Sequence, residues 1–296
     1  MRLYGCRIDW LGTTFVIAIH ILSVVALFYI PTASWKTLVW CMFLSTVGAS
    51  LGVCFGVHRM WSHKSFQAAW PVRLLSAISF SMTFQRSILN WCKQHRVHHR
   101  HSDQDADPYN ASNGFWYSHM LWIFVERNDA YKAAAKEIDM SDLKADPIVM
   151  WQRKHATLLS IVFGIIVPTI IPMYFWNETF MHAYFLAFVL RTTYVLHCTW
   201  SVNSFAHMFG NKPYSKFINP AENPFVSFFA TGEGFHNYHH SFPYDYSASE
   251  VPYTLNLTTC IIDFFDIFGL VYEKRRASPT MVMGHKESAA AAALLS

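Results

Sequence analysis

Residues 36–63 read KTLVWCMFLSTVGASLGVCFGVHRMWSH. From Lys36 to Val57 the run is apolar over the ~20 residues that a helix needs to cross a bilayer. It ends on His58 and His63, so a membrane helix delivers two imidazoles to whatever lies at its end. The same apolar character recurs in Leu11 to Ile30, Ala156 to Trp176 and Phe180 to Val202. Short connections at 31–35 and 177–179 join these stretches into two hairpins, and Pro168 and Pro172 are expected to kink the third span. Composition agrees: 53% of the 296 residues are hydrophobic and only 14% are charged, against ~25% charged in soluble domains.

Lys and Arg are retained on the cytoplasmic side of a membrane. Lys36 alone lies in an outer loop and Arg191 alone within a span; every other basic residue falls on the side of the N-terminus, with the clustered histidines. The first apolar core exceeds the usual signal-peptide length and reads as a signal anchor. Six cysteines without CxxC pairs suggest neither a disulfide framework nor a thiolate zinc site, and a net charge of +4 is too small to indicate nucleic acid. Trp70 to Leu89, interrupted by Pro71, Arg73, Gln85 and Arg86, reads as a buried or interfacial helix, and Thr254 to Tyr272 as a surface-lying one. Residues 281–296, ending in GHKESAAAAALLS, are expected to be a disordered tail.

Nine of the 16 histidines form a pattern: His58 and His63 in HRMWSH, His95, His98 and His99 in HRVHH, His236, His239 and His240 in HNYHH, and the separate His207. Positions i, i+3 and i+4 share a helix face, so each HxxHH is expected to hold three imidazoles together. Imidazole ligands leave zinc, copper, iron and nickel open; nine of them exceed one tetrahedral zinc site and suit two metals at four or five ligands each. Asn203, four residues before His207, is placed to hold a metal-bound water. Asp103, Asp107 and Glu233 could orient imidazoles through their second ring nitrogen, or the aspartates could cap the loop before Pro108. The remaining histidines, His20, His101, His119, His155, His182, His197 and His285, read as ordinary surface or core residues.

HRMWSH, HRVHHRHSDQDADPYN, NSFAH and GEGFHNYHHSFPYDYSASE together resemble the membrane-bound acyl-CoA delta-9 desaturases, the stearoyl-CoA desaturase family. The similarity runs from about Trp10 to Tyr272, with MSDLKADP and WNET pointing to the insect and animal branch. The resemblance implies an all-α integral membrane protein in one domain, residues 1–280. Four transmembrane helices would carry a cytosolic helical cap, 58–155 and 203–280, that holds a di-iron site. Residence in the endoplasmic reticulum with both termini cytosolic is implied as well. The nine histidines become ligands of two iron ions, with Asn203 acting through water. Acyl-CoA and O2 become the substrates, and cytochrome b5 with its reductase the electron donor. The chain has no HPGG haem motif and no GxGxxG of its own, so a separate donor is needed. Arg96, Arg100, Lys132, Lys136, Arg153 and Lys154 could dock such a partner, or meet solvent and lipid headgroups.

By the same resemblance Gln85, Trp91, Thr199 and Trp200 kink an acyl tunnel beside the metals. Thr46, with Ser50 one turn later, stands where a bulky residue commonly closes the tunnel's far end; Phe43 or Phe55 could fill the space instead. At the CoA head the chain departs from the family: Arg86, Lys93-Gln94 and Glu126-Arg127 stand where the family has Asn, Arg-Asp and a basic pair, and Gly12 replaces an Asn. A histidine-box hydroxylase, an acyl-lipid desaturase, a catalytically silent homologue and a metal transporter are the competing readings. A transporter should carry its ligands near the membrane midplane, whereas these flank the spans.

Overall fold

A computed structural model describes residues 2–294. Asp9 caps the first long helix, Trp10–Leu27, by accepting from Gly12 N at 3.0 Å. Its buried positions, Gly12, Val16, Ile19, Ser23 and Ala26, recur every three or four residues, so one face packs inward and the rest stays apolar and exposed. The second helix, Trp35–Ser62, runs through His58 without a break, five residues beyond the expected span. Its second half, Val47–Ser62, is buried and widened to i→i+5 hydrogen bonding. Gly52 lets this half touch helix Trp70–Ser81, since a Cβ there would lie 2.6 Å from Phe80 N.

The third long helix, Pro147–Trp176, starts nine residues before the expected span because Asp146 caps it, accepting from Ile148 N and Val149 N. Another widened stretch, Val162–Ile166, ends two residues before Pro168, where a backbone donor is missing. These three helices are long and apolar enough to cross a membrane. Residues 180–208 form a further unbroken helical run, which carries Arg191. Arg191 is fully buried and donates to three carbonyls: Ala187 O at 2.7 Å, Met82 O at 3.1 Å and Gly164 O at 2.9 Å. At the other end, Glu178 ties the two short loops by accepting from Ser34 N and Thr37 Oγ1.

The expected helix from Trp70 to Leu89 is two helices, Trp70–Ser81 and Ile88–Arg100. Positive φ at Phe84 and Arg86 turns the chain between them, and Ser87 caps the second. The expected surface helix is shorter, Leu257–Ile267, and Val271–Tyr272 beyond it pairs antiparallel with Gln67–Ala68. Disorder of the tail is contradicted: Pro279–Leu294 is a helix, while Leu295 and Ser296 lie outside the described residues. Its alanine run has the highest helix propensity. Lys286 pairs with Glu250, and the His285 ring packs on Phe242.

Candidate metal centre

The second long helix, the Ile88–Arg100 helix, the 180–208 run and the short helix His236–Ser241 bring all nine histidines together. They fall into two groups: His58, His63, His95, His99 and His239 in one, and His98, His207, His236 and His240 in the other. Within each group one nitrogen per ring lies within 4.8 Å of the others. The HxxHH motifs do not stay whole. In each, residues i and i+4 join one group and i+3 crosses to the other, because adjacent side chains diverge by ~100° around a helix. The groups touch where His99 stacks on His240 at 4.1 Å.

Three rings are held from outside by carboxylates. His98 Nδ1 lies 2.8 Å from Asp107 Oδ2, His207 Nδ1 3.0 Å from Asp103 Oδ2, and His58 Nδ1 2.8 Å from Glu233 Oε2. His58 Nδ1 sits at ion-pair distance from Glu233. A carboxylate accepts, so the Nδ1 atoms of His98 and His207 carry hydrogens and their Nε2 lone pairs turn inward. There His58 Nε2 meets His239 Nε2 at 2.9 Å, His63 meets His95 at 2.8 Å, and His207 meets His236 at 2.9 Å. Nitrogens bound to one metal at ~2.1 Å and at right angles are themselves about 3 Å apart. The donor set therefore fits two first-row metal ions better than it fits a hydrogen-bonded core. Burial, reinforced by neighbouring rings, pushes the pKa values of His63, His95, His99, His236, His239 and His240 well down, which keeps them neutral ligands. Burial would raise the carboxyls, but His207 beside Asp103, and Arg59 with His58 beside Glu233, hold each at about 2.

Sequence reasoning missed Arg59. This buried cation donates to Glu233 Oε1 through Nε at 3.1 Å and Nη2 at 2.8 Å, and to Tyr246 O, Ser247 O and Thr259 Oγ1. Its signal was present: an Arg at the end of an apolar span needs an acid, and Glu233 precedes HNYHH.

A small inner cavity is lined by Ala49, Val53, His58, His98, His236 and others, and a larger one of ≈ 750 Å³ opens to the surface. Trp91, His95, Thr199 and Asn203 line both, so the larger space reaches the histidines. Three residues of the cavity wall are linked: Trp91 Nε1 donates to Gln85 Oε1 at 3.0 Å, Gln85 Nε2 to Thr199 Oγ1 at 3.1 Å, and Trp91 stacks on His95. Trp200 completes the wall.

Thr46 and Ser50 line neither cavity. Thr46 is exposed and donates to Met42 O; Ser50 is fully buried. The widened turns of Val47–Ser62 take more than 3.6 residues each, so a face traced back from His58 at α spacing drifts, and Ala49 and Val53 take the place of Thr46 and Ser50. Phe43 is exposed and Phe55 packs on Phe66, so neither fills the space. At the outer mouth stand Arg86, Gln94 and Arg127, joined by Lys132, which the sequence had not marked for this role, and by Asp9 and Glu126; Lys93 lines neither cavity. Arg86 pairs with Asp9 at 2.9 Å, and Arg127 donates to Gln94 Oε1 at 3.0 Å. A side chain at Gly12 would meet Ile123 O at 2.6 Å, which explains the missing Asn. Of the basic residues considered for docking, Arg96 is committed internally to Asp142 and to Trp61 O.

The family model for fatty acid desaturases matches residues 10–254. Stearoyl-CoA desaturase 5 of Bos taurus is 45% identical over 279 residues, 94% of this chain and 83% of that protein. Stearoyl-CoA desaturase 5 of Homo sapiens is 44% identical over 95% of this chain and 84% of its own length, and human stearoyl-CoA desaturase 43% identical over 93% and 76%.

Proposed function

The chain belongs to the fatty acid desaturase family, and from that premise we propose that it introduces a double bond, at the delta-9 or a similar position, into a saturated fatty acyl-CoA. One C–H is lost from each of two adjacent methylenes; O2, two electrons and two protons are consumed, and two waters leave. Two iron ions, held by the five- and four-histidine groups, supply the oxidising power for this step when bound. The observation that carries the reading is the ≈ 750 Å³ cavity whose inner wall, Trp91, His95, Thr199 and Asn203, is also the wall of the histidine site.

The protein's own part is positioning. Gln85, Trp91, Thr199 and Trp200 form a rigid wall that presents one pair of methylenes to the histidine groups. Arg86, Arg127 and Lys132 face the phosphate-bearing head, with Glu126 as the opposing charge. The Asn203 side chain lines both cavities and makes no hydrogen bond to protein among the described residues, leaving its amide for a water beside the four-histidine group. Membrane topology completes the picture: the 180–208 run is the fourth span, shielded by neighbours around Arg191. The histidine cap faces the cytosol of the endoplasmic reticulum, where cytochrome b5 delivers electrons, and both termini lie on that side.

Expression in a desaturase-deficient yeast, with double bonds located by mass spectrometry, tests the reading. Monounsaturated acyl chains and two irons per purified chain are expected. Hydroxylated product, or none from protein that holds both irons, would overturn it.

A further inference from the structure

Three histidines outside the metal centre form a continuous chain across three elements. His20 Nδ1 lies 2.7 Å from Val16 O, and His20 Nε2 lies 2.9 Å from His197 Nε2. His197 Nδ1 then meets His119 Nε2 at 3.0 Å, and His119 Nδ1 meets Ser204 Oγ at 2.8 Å. Every ring nitrogen has a partner. This is not a second metal site: His197 meets its two neighbours through opposite ring nitrogens, so the contacts run in series instead of converging on one point.

The hydrogens have a set direction. Val16 O only accepts, so His20 Nδ1 donates to it and His20 Nε2 must accept from His197 Nε2. His197 Nδ1 then accepts from His119 Nε2, and the single Ser204 hydroxyl hydrogen is shared between His119 Nδ1 at 2.8 Å and Trp200 O at 3.1 Å. Burial, with His197 beside it, holds His119 down at about 4, so this neutral arrangement persists at physiological pH.

What the chain encloses is Trp200. His20 stacks parallel to its ring at 6.1 Å, and His197 and His119 meet it edge-on at 5.2 and 6.0 Å. Trp200 is 2% exposed, and it lines the ≈ 750 Å³ cavity. We propose that the His20–His197–His119–Ser204 chain positions Trp200 and so sets where the acyl channel bends, making these four specificity-determining residues that never touch substrate. Unsatisfied imidazole nitrogens are costly in an apolar interior, which gives the array one arrangement instead of many. The inference rests on the cavity being the acyl channel.

The test is the product profile in desaturase-deficient yeast. His197→Ala orphans His20 Nε2 and His119 Nε2 together and frees Trp200. The ratio of 16- to 18-carbon products, or of double-bond positions, is expected to move at least about threefold with two irons retained. Imidazole supplied to membranes from this variant should move the ratio back toward wild type, a rescue that a merely destabilised protein would not show. Ser204→Ala deletes one oxygen at the far end and should shift the profile less, in the same direction; it carries the test if His197→Ala does not accumulate. Wild-type ratios in the variants that accumulate, whatever the total product, would overturn the proposal. Absence of unsaturated product from the wild-type chain would instead sink the desaturase reading.

Discussion

The two histidine groups draw on the same pair of HxxHH motifs, yet they are braced differently. In the five-histidine group the one bracing acid, Glu233, is itself clamped by the buried cation Arg59. In the four-histidine group Asp107 and Asp103 are clamped by backbone amides: Asp107 accepts from Asp103 N and Tyr109 N, and Asp103 from Ala111 N. One brace is a charge pair spanning elements far apart in sequence, and the other is a local loop. Loss of the first leaves a buried charge without its counterion, whereas loss of the second leaves only amides. The four-histidine group also has one nitrogen fewer, and Asn203 lines the smaller cavity with His98 and His236 of that group and His58 and His95 of the other.

The harshest way to break the comparison is to delete a ligand on each side. His99→Ala and His240→Ala should each abolish measurable desaturation and lower the iron content while membrane insertion is kept; near-normal turnover in either would disprove the ligand assignment. Next comes the asymmetry of the braces. Glu233→Gln should destabilise the fold by ~3–5 kcal/mol through the stranded Arg59, seen as poor accumulation and early thermal unfolding. Asp107→Asn should cost ~10–100-fold in metal affinity or activity with the unfolding midpoint nearly unchanged. Equal unfolding shifts in the two would erase the distinction.

Asn203→Leu sharpens the contrast in coordination. Turnover should fall ~10–100-fold with iron nearly intact; complete loss of one iron would mean that the side chain binds metal directly. Acid distinguishes bare from loaded groups. Six of the rings have depressed pKa values in the fold, so unfolding takes up protons below about 6.5, and the metal-free protein should lose stability as pH drops from 7.5 to 5.5. His98, raised by Asp107 against its burial, opposes this, one ring against six. Asp103 and Glu233 add a later loss as pH falls from about 4.5 toward about 2. Thermal melts of metal-free and iron-loaded protein at both pH values check the sign, since bound metal should flatten the upper step. The smallest effect concerns chain length. Ala49→Phe should favour shorter acyl chains, each excluded methylene being worth ~0.8 kcal/mol, whereas Thr46→Tyr on the exposed face should leave the profile unchanged; the reverse result in competition assays would restore the α-spaced register.

Much of the site was legible because metal chemistry restricts residue type. Nine clustered histidines and three adjacent acids stand out in a chain with so few charges, and each acid lies within 3.0 Å of a histidine Nδ1. Tertiary partners were harder to read. HxxHH periodicity could not show that His98 and His239 cross between groups, since that depends on what faces the helix. Nor could α spacing reveal the widened turns that expose Thr46. His20, His119 and His197 looked ordinary because no two are near in sequence; only the fold makes them neighbours. The tail was misread for the opposite reason: low complexity was weighed above the helix propensity of alanine.

Arg191 bears on the order in which the protein can be made. An arginine at the centre of a helix resists transfer from the translocon into lipid by ~2.5–3.5 kcal/mol. Beyond its own helix, the carbonyls that hold this one, Met82 O and Gly164 O, belong to segments synthesised earlier. If the 180–208 run is the fourth span, as proposed, its receptor has been synthesised before it emerges, and it would insert as a guest of the first three. A fusion carrying that run alone should integrate poorly, and it should integrate well once residues 1–176 precede it.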